Sequence, residues 1–162
     1  MDASSVAVSS LLKSAGREIE SEIQGCSMYP TLIEGSRIRI RCGESRFQAG
    51  DVVAILGQPL VAHRVVGHGL SGARRFLITR GDASWFCDPP VREDQILGVV
   101  TALDNGHGWQ TLGSRPLSTN TVPVLSDFLH GMIRLALRIN ESFAVRLARG
   151  AAVLASWCGG RV

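Results

Sequence analysis

Between Ser36 and Leu103 the chain reads as a succession of short strands, and this texture constrains its fold more than any other feature. SRIRIRC, from Ser36, alternates apolar and charged residues, the period-two signature of a strand with one wet face. DVVAIL, LVAHRVVG, RRFLITR and ILGVVTAL follow at short spacing, separated by Gly, Pro and Ser clusters. HGLSGA reads as a hairpin loop between two of these strands. Asn105-Gly106 marks another turn, because Asn-Gly tolerates the positive φ of tight hairpins. The expectation is a mainly β body.

The segments on either side differ in texture. Residues 1–24 read as a short, partly helical lead-in, and 25–115 as the β-rich domain. RPLSTNTVP is a polar linker, and the remainder of 116–162 predicts a helical extension. In it Asp127, His130, Arg134, Arg138 and Glu141 recur at steps of three and four. Leu125, Phe128, Leu129, Met132, Ile133, Leu135, Ala136 and Ile139 fill the other face. A second helical stretch runs from Phe143 to Trp157 and stops at Gly159-Gly160.

Hydrophobic residues make up 45% of the 162 positions and charged residues 19%, which excludes a disordered chain and allows a buried core. The net charge of +3 gives no reason to expect a nucleic-acid partner. Lys13 is the one lysine among 17 basic residues. Arginine forks bind carboxylates and phosphates in bidentate fashion, although an arginine-rich codon usage explains the skew equally well. Cys26, Cys42, Cys87 and Cys158 lie far apart with no CxxC pair, so no zinc site is expected and the thiols read as reduced and mostly buried. The segment from Val6 to Leu12 is too short and serine-rich for a signal peptide, and no run approaches about 18 apolar residues, so no transmembrane helix is expected. These features suggest a cytoplasmic location, with peripheral membrane or partner contact through the C-terminal helices as the alternative to simple packing.

The strongest local signal is GCSMYPTL, from Gly25 to Leu32. Pro30 fixes its own φ and pushes Tyr29 towards an extended conformation, while Gly25 permits a tight turn before Ser27. That spacing would present the serine at a strand edge with its own backbone N–H facing an oxyanion. The stretch resembles the nucleophile box G-x-S-M-x-P-T-L of the type I signal peptidase and LexA-like serine peptidase superfamily, with Ser27 on the nucleophile. The resemblance implies that superfamily's β-fold for the catalytic body and a general base on a later strand. A serine hydroxyl is a poor nucleophile unaided. Most bacterial relatives supply a lysine, but Lys13 precedes the box. LVAHRVVG instead offers His63, as in the endoplasmic-reticulum and archaeal enzymes, where a V-H-R-V type strand carries histidine. An unperturbed imidazole, with a pKa near 6.5, is neutral and able to accept a proton at pH 7.

TRGDASWFCDPP resembles the K-G-D-N-N box of the same families. Asp82 matches the aspartate after the glycine, and Asp88 the position proposed to orient the base. Asp88 is the favoured partner of His63; Asp82 is the alternative, or holds its loop through Asx-type hydrogen bonds. Arg80, Ala83, Ser84 and Cys87 depart from the family pattern, and Gly25 replaces a serine found in many bacterial members. The oxyanion hole would then rest on backbone N–H groups, that of Ser27 among them. Trp85 and Phe86 cap a core or line the substrate groove.

The resemblance covers Gly25 to Leu103. It implies a serine endopeptidase that removes a leader or pro-segment from a peptide or protein precursor, without metal or organic cofactor. Two other classes stand beside it. A LexA-like self-cleaving regulator would need a DNA-binding domain, and the 24 residues before Gly25 are too few for a helix-turn-helix. Its upstream Ala15-Gly16 pair also has a short tether to Ser27. A catalytically inactive adaptor that binds extended peptides would not need the Ser27/His63 pair.

Overall fold

The computed structural model describes residues 11, 12, 14–57, 59–113 and 124–158. Its centre is a curled, entirely antiparallel sheet of eight strands. The alternation in RIRIRC sets the geometry of β2 (Arg37–Cys42): Ile38, Ile40 and Cys42 are buried, and the arginines between them face outward. Those arginines attract a strand that the sequence reading did not place. Glu18–Glu22 was expected in a partly helical lead-in, yet it forms β1, paired with β2 so that Glu20 lies opposite Arg39. EIESE has weak intrinsic strand preference, which ladder pairing, the packing of Ile19 on the core and the opposite charges of its neighbour together override. Arg39 donates to Glu20 at 3.0 Å, and Arg37 also pairs with it. The hydrogen bond from Arg39, reinforced by the charge of Arg37, lowers the Glu20 carboxyl below its ordinary pKa. Trp109 closes this patch, with the Arg39 guanidinium 4.2 Å from its ring centroid. Residues 1–10 and 116–123, the outer lead-in and the expected polar linker, lie outside the described residues, as does Lys13.

The remaining strands are β3 (Val52–Ile55), β4 (Val61–Ser71), β5 (Arg74–Arg80), β6 (Val91–Arg92), β7 (Ile96–Asp104) and β8 (Gln110–Thr111). The sheet order is β1-β2-β7-β3-β4-β5-β6. On its outer side β7 is shared, its first half pairing with β3 and its second with β8 across the Asn105-Gly106 turn. β4 and β5 form a long hairpin. The expected loop HGLSGA is mostly strand: pairing continues to Ser71↔Arg74, and only Gly72-Ala73 turns, with Gly72 at φ 58°. Gly69 lies within this extension because a helix sits on it. A Cβ there would fall 2.2 Å from Leu137 Cδ1.

That helix is α1 (Val124–Ile139), followed by α2 (Glu141–Cys158). The Asn140 side chain accepts the Ser142 N–H at 2.8 Å and caps the start of α2. Ile133, Ala136 and Leu137 of α1 join Ala144 and Ala148 of α2, packing on Phe76, Ile78 and Cys87. The predicted apolar face is rotated relative to this contact. Ile133 and Ala136 are buried as expected, but Met132, Leu135 and Ile139 are exposed, and Leu137 is buried in their place. The side chains of residues 124–130, among them Leu125, Phe128, Leu129 and His130, lie outside the described residues. A second core, of Met28, Leu32, Ile38, Ile40, Val52, Ala54, Leu97 and Val100, joins the Ser27 segment to β2, β3 and β7. Among the described residues, no helix is long and apolar enough to cross a membrane.

Candidate active site

The segment carrying Ser27 is a turn between β1 and β2, not the strand edge expected from its spacing. Both ends are pinned: Ile23 N–H donates to Ser36 O at 2.8 Å, and Gly35 N–H to Ile23 O at 2.9 Å. Met28 and Leu32 anchor it in the core at 2% and 0% exposure. The Leu32 N–H donates to Met28 O at 2.9 Å, and the Tyr29 N–H to Cys26 O at 3.0 Å. Gly25 adopts φ 83°, a value that favours glycine, and the Tyr29–Pro30 bond is cis. A buried methionine thus holds the preceding residue, Ser27, at the surface. The Ser27 backbone N–H has no acceptor among the described residues. Cys26, also exposed, precedes it, whereas Cys42 and Cys87 are buried.

His63 lies near the start of β4, paired with Val53 of β3. Its side chain is 12% exposed, enough to reach the surface turn while most of the ring is shielded. His63 Nε2 lies 3.0 Å from Ser27 Oγ, and Nδ1 lies 2.6 Å from Asp88 Oδ2. An imidazole that donates from Nδ1 to the carboxylate presents an unprotonated Nε2 to the hydroxyl. Asp88 is itself held. Its N–H donates to Thr79 O at 2.8 Å, and Thr79 Oγ1 donates to Asp88 Oδ2 at 2.8 Å. Pro89 and Pro90 then stiffen the chain that follows.

Asp82 is placed elsewhere. Its carboxylate takes a fork from Arg64, Nε to Oδ1 at 2.8 Å and Nη2 to Oδ2 at 2.6 Å, together with the Thr31 hydroxyl. Arg64 Nη1 also donates to Gly50 O at 2.7 Å. With side chains 5% and 7% exposed, Arg64 and Asp82 form a buried ion pair that ties β4 and the 81–84 loop to the Ser27 segment through Thr31. The structure therefore brings Ser27, His63 and Asp88 together and sets Asp82 in the scaffold behind them. Alternation along β4 explains the division, since His63 and Arg64 are adjacent and must point to opposite faces.

The loop after β5 approaches Ser27 through its backbone. Ala83 N–H donates to Ser27 O at 2.9 Å. A Cβ on Gly81 would fall 2.5 Å from Ser27 O and 3.2 Å from His63 Nε2, so only glycine fits without displacement. Trp85, expected in a core or lining a groove, is 65% exposed and so is no core residue; Phe86 is partly buried against the helical cluster. Sequence reasoning missed Arg64, Thr79, Thr31 and the role of Gly81. A charged residue at an inward position of an apolar strand was the available sign for Arg64, since a buried guanidinium requires a carboxylate. Thr79 and Thr31 gave no comparable sign. Among the described residues, no group of three or more His, Cys, Asp or Glu side chains is arranged to hold a metal.

Ser27, His63 and Asp88 thus have the connectivity of a nucleophile, a base and a carboxylate that orients the base. Compared with models of protein families and with curated proteins, the sequence matches none.

Proposed function

We propose that this chain is a serine endopeptidase that removes a leader or pro-segment from a peptide or protein precursor. We further propose that its curled sheet is the catalytic fold of the signal peptidase and LexA-like superfamily. The observation that carries the reading is the continuous relay from Ser27 Oγ through His63 to Asp88, at 3.0 and 2.6 Å. Ser27 Oγ attacks the scissile carbonyl carbon as its proton passes to His63 Nε2. Asp88 holds the Nδ1–H and stabilises the imidazolium. The Ser27 backbone N–H donates to the oxyanion. When the C–N bond breaks, His63 returns the proton to the leaving amine. Water, deprotonated by His63, then hydrolyses the acyl-serine and restores the hydroxyl.

Exposed Tyr29 and Trp85, on the two segments that meet at Ser27, provide apolar surface for side chains flanking the cut. By the resemblance, the substrate is extended, with small residues such as alanine beside the scissile bond. The self-cleaving alternative is disfavoured by β1. Ala15-Gly16 precedes the end of β1 remote from Ser27, and the strand spans five residues, about 3.3 Å each, paired with β2 along its length. Reaching Ser27 would require β1 to leave the sheet. The experiment is incubation of the purified protein with a library of extended peptides, with products mapped by mass spectrometry. Cleavage that disappears in Ser27→Ala supports the proposal. Peptides bound but never cut would point to the adaptor instead.

A further inference from the structure

A second site lies at the other end of β4 from His63. There the β4–β5 hairpin, the 45–48 loop and the C-terminal half of α1 enclose a cleft of about 560 Å³. Four arginines from three separate elements line it: Arg46, Arg75, Arg134 and Arg138. His68 joins them, and among the described residues Glu93 is the only carboxylate in the lining. Elsewhere on the surface, many arginines are matched. Arg37 and Arg39 share Glu20, Arg41 meets Glu44, Arg74 meets Glu141 and Arg92 meets Asp94. None of the four cleft arginines forms an ion pair among the described residues. The contrast extends to neighbours: Arg74 meets Glu141, whereas Arg75, which lines the cleft, forms no ion pair among the described residues.

All four are exposed, so water screens their mutual repulsion, but together they give the cleft a positive potential that favours an anion. We propose that the cleft binds an organic phosphate. A single carboxylate offers one charge and two oxygens, whereas a phosphate ester presents up to two charges and three oxygens to these arginine forks. The volume exceeds what an inorganic ion fills and lies in the range of sites for small organic ligands, roughly 300–1,000 Å³. Buried Phe47 and Phe76 form an apolar floor, and exposed Leu70 stands at the rim, so the remainder of the ligand meets hydrocarbon. The same phosphate chemistry has two sources, a soluble ester or a lipid headgroup. On α1 the arginines are flanked by Leu135 and Ile139, at 60% and 74% exposure, which would enter a membrane interface only in the second case.

The test is independent of the peptidase reading, because no cleft residue belongs to the Ser27 site. Full-length protein is titrated calorimetrically with glycerol phosphate. In parallel it is sedimented with phosphatidylcholine vesicles prepared with and without phosphatidic acid, whose headgroup is a phosphate monoester. The variant Arg134→Ala/Arg138→Ala is compared with Arg146→Ala/Arg149→Ala, which removes the same charge from α2, with thermal melts confirming that both fold. Binding of either probe that weakens at least about tenfold in the first variant and is unchanged in the second supports the site. A soluble source is indicated when glycerol phosphate binds and Leu135→Ser/Ile139→Ser has no effect. A lipid source is indicated when only the anionic vesicles bind and that apolar variant releases them. No binding of either probe overturns the proposal, as does equal weakening in the two arginine variants.

Discussion

Replacing Asp82 by asparagine isolates the scaffold from the chemistry. The Asp82 carboxylate accepts Arg64 Nε–H at 2.8 Å, Arg64 Nη2–H at 2.6 Å and the Thr31 hydroxyl, with both side chains of the ion pair almost fully buried. An amide keeps one acceptor oxygen and turns its NH₂ towards a donor, so the fork is broken and the guanidinium loses its counter-charge. Disrupting a buried pair from one side costs about 3–5 kcal/mol, and the retained oxygen places this change near 3 kcal/mol. For a chain of this length each kcal/mol moves Tm by about 2–4 °C, giving a fall of roughly 6–12 °C. The assay is thermal unfolding followed by circular dichroism, with single-turnover acylation measured well below the lowered midpoint. Because Asp82 hydrogen-bonds Arg64 and Thr31 rather than His63, acylation per folded molecule should stay near wild type. A melting temperature within about 2 °C of wild type refutes the scaffold reasoning. Lost acylation with unchanged melting would exchange the roles of Asp82 and Asp88.

Asp88→Asn should do the converse: turnover falls by on the order of 10⁴, as expected when the wrong imidazole tautomer is favoured, while the melt scarcely moves. Kinetics on a cleaved peptide, beside a melt, decide this. Gly69→Ala would place a Cβ 2.2 Å from Leu137 Cδ1, so the buried Leu137 side chain must turn away or α1 must shift on β4. A loss of about 1–3 kcal/mol is expected in denaturant titration, with peptide cleavage retained by the folded fraction; no loss would mean that the Leu137 side chain is not held tightly over Gly69.

The parts of the fold legible in the sequence are those encoded by local patterns. Alternation in RIRIRC specifies which side of β2 is buried, and Asn105-Gly106 specifies the β7–β8 turn. Ser27, His63 and Asp88 were singled out from three separate segments, and the chain brings them within hydrogen-bonding distance. What was not legible depends on partners. β1 depends on its pairing with β2, where Glu20 meets Arg37 and Arg39 and Ile19 packs on the core, whereas Glu18–Glu22 alone carries weak strand preference. The rotation of α1 is set by the groove beside Gly69, so helical periodicity located an apolar stripe without showing that Leu137 would be buried and Ile139 exposed. Asp82 could be separated from Asp88 only once Arg64 was known to face away from His63.

The proposed nucleophile is Ser27, and Cys26, exposed and adjacent, is its natural competitor. Peptide mapping of protein acid-quenched during turnover of an activated acyl ester tests this assignment most directly, because the acyl group marks the attacking atom. The expected result is an ester on Ser27 that is lost in Ser27→Ala and strongly reduced in His63→Ala. A thioester on Cys26, or turnover by Ser27→Ala at the wild-type rate, would contradict it.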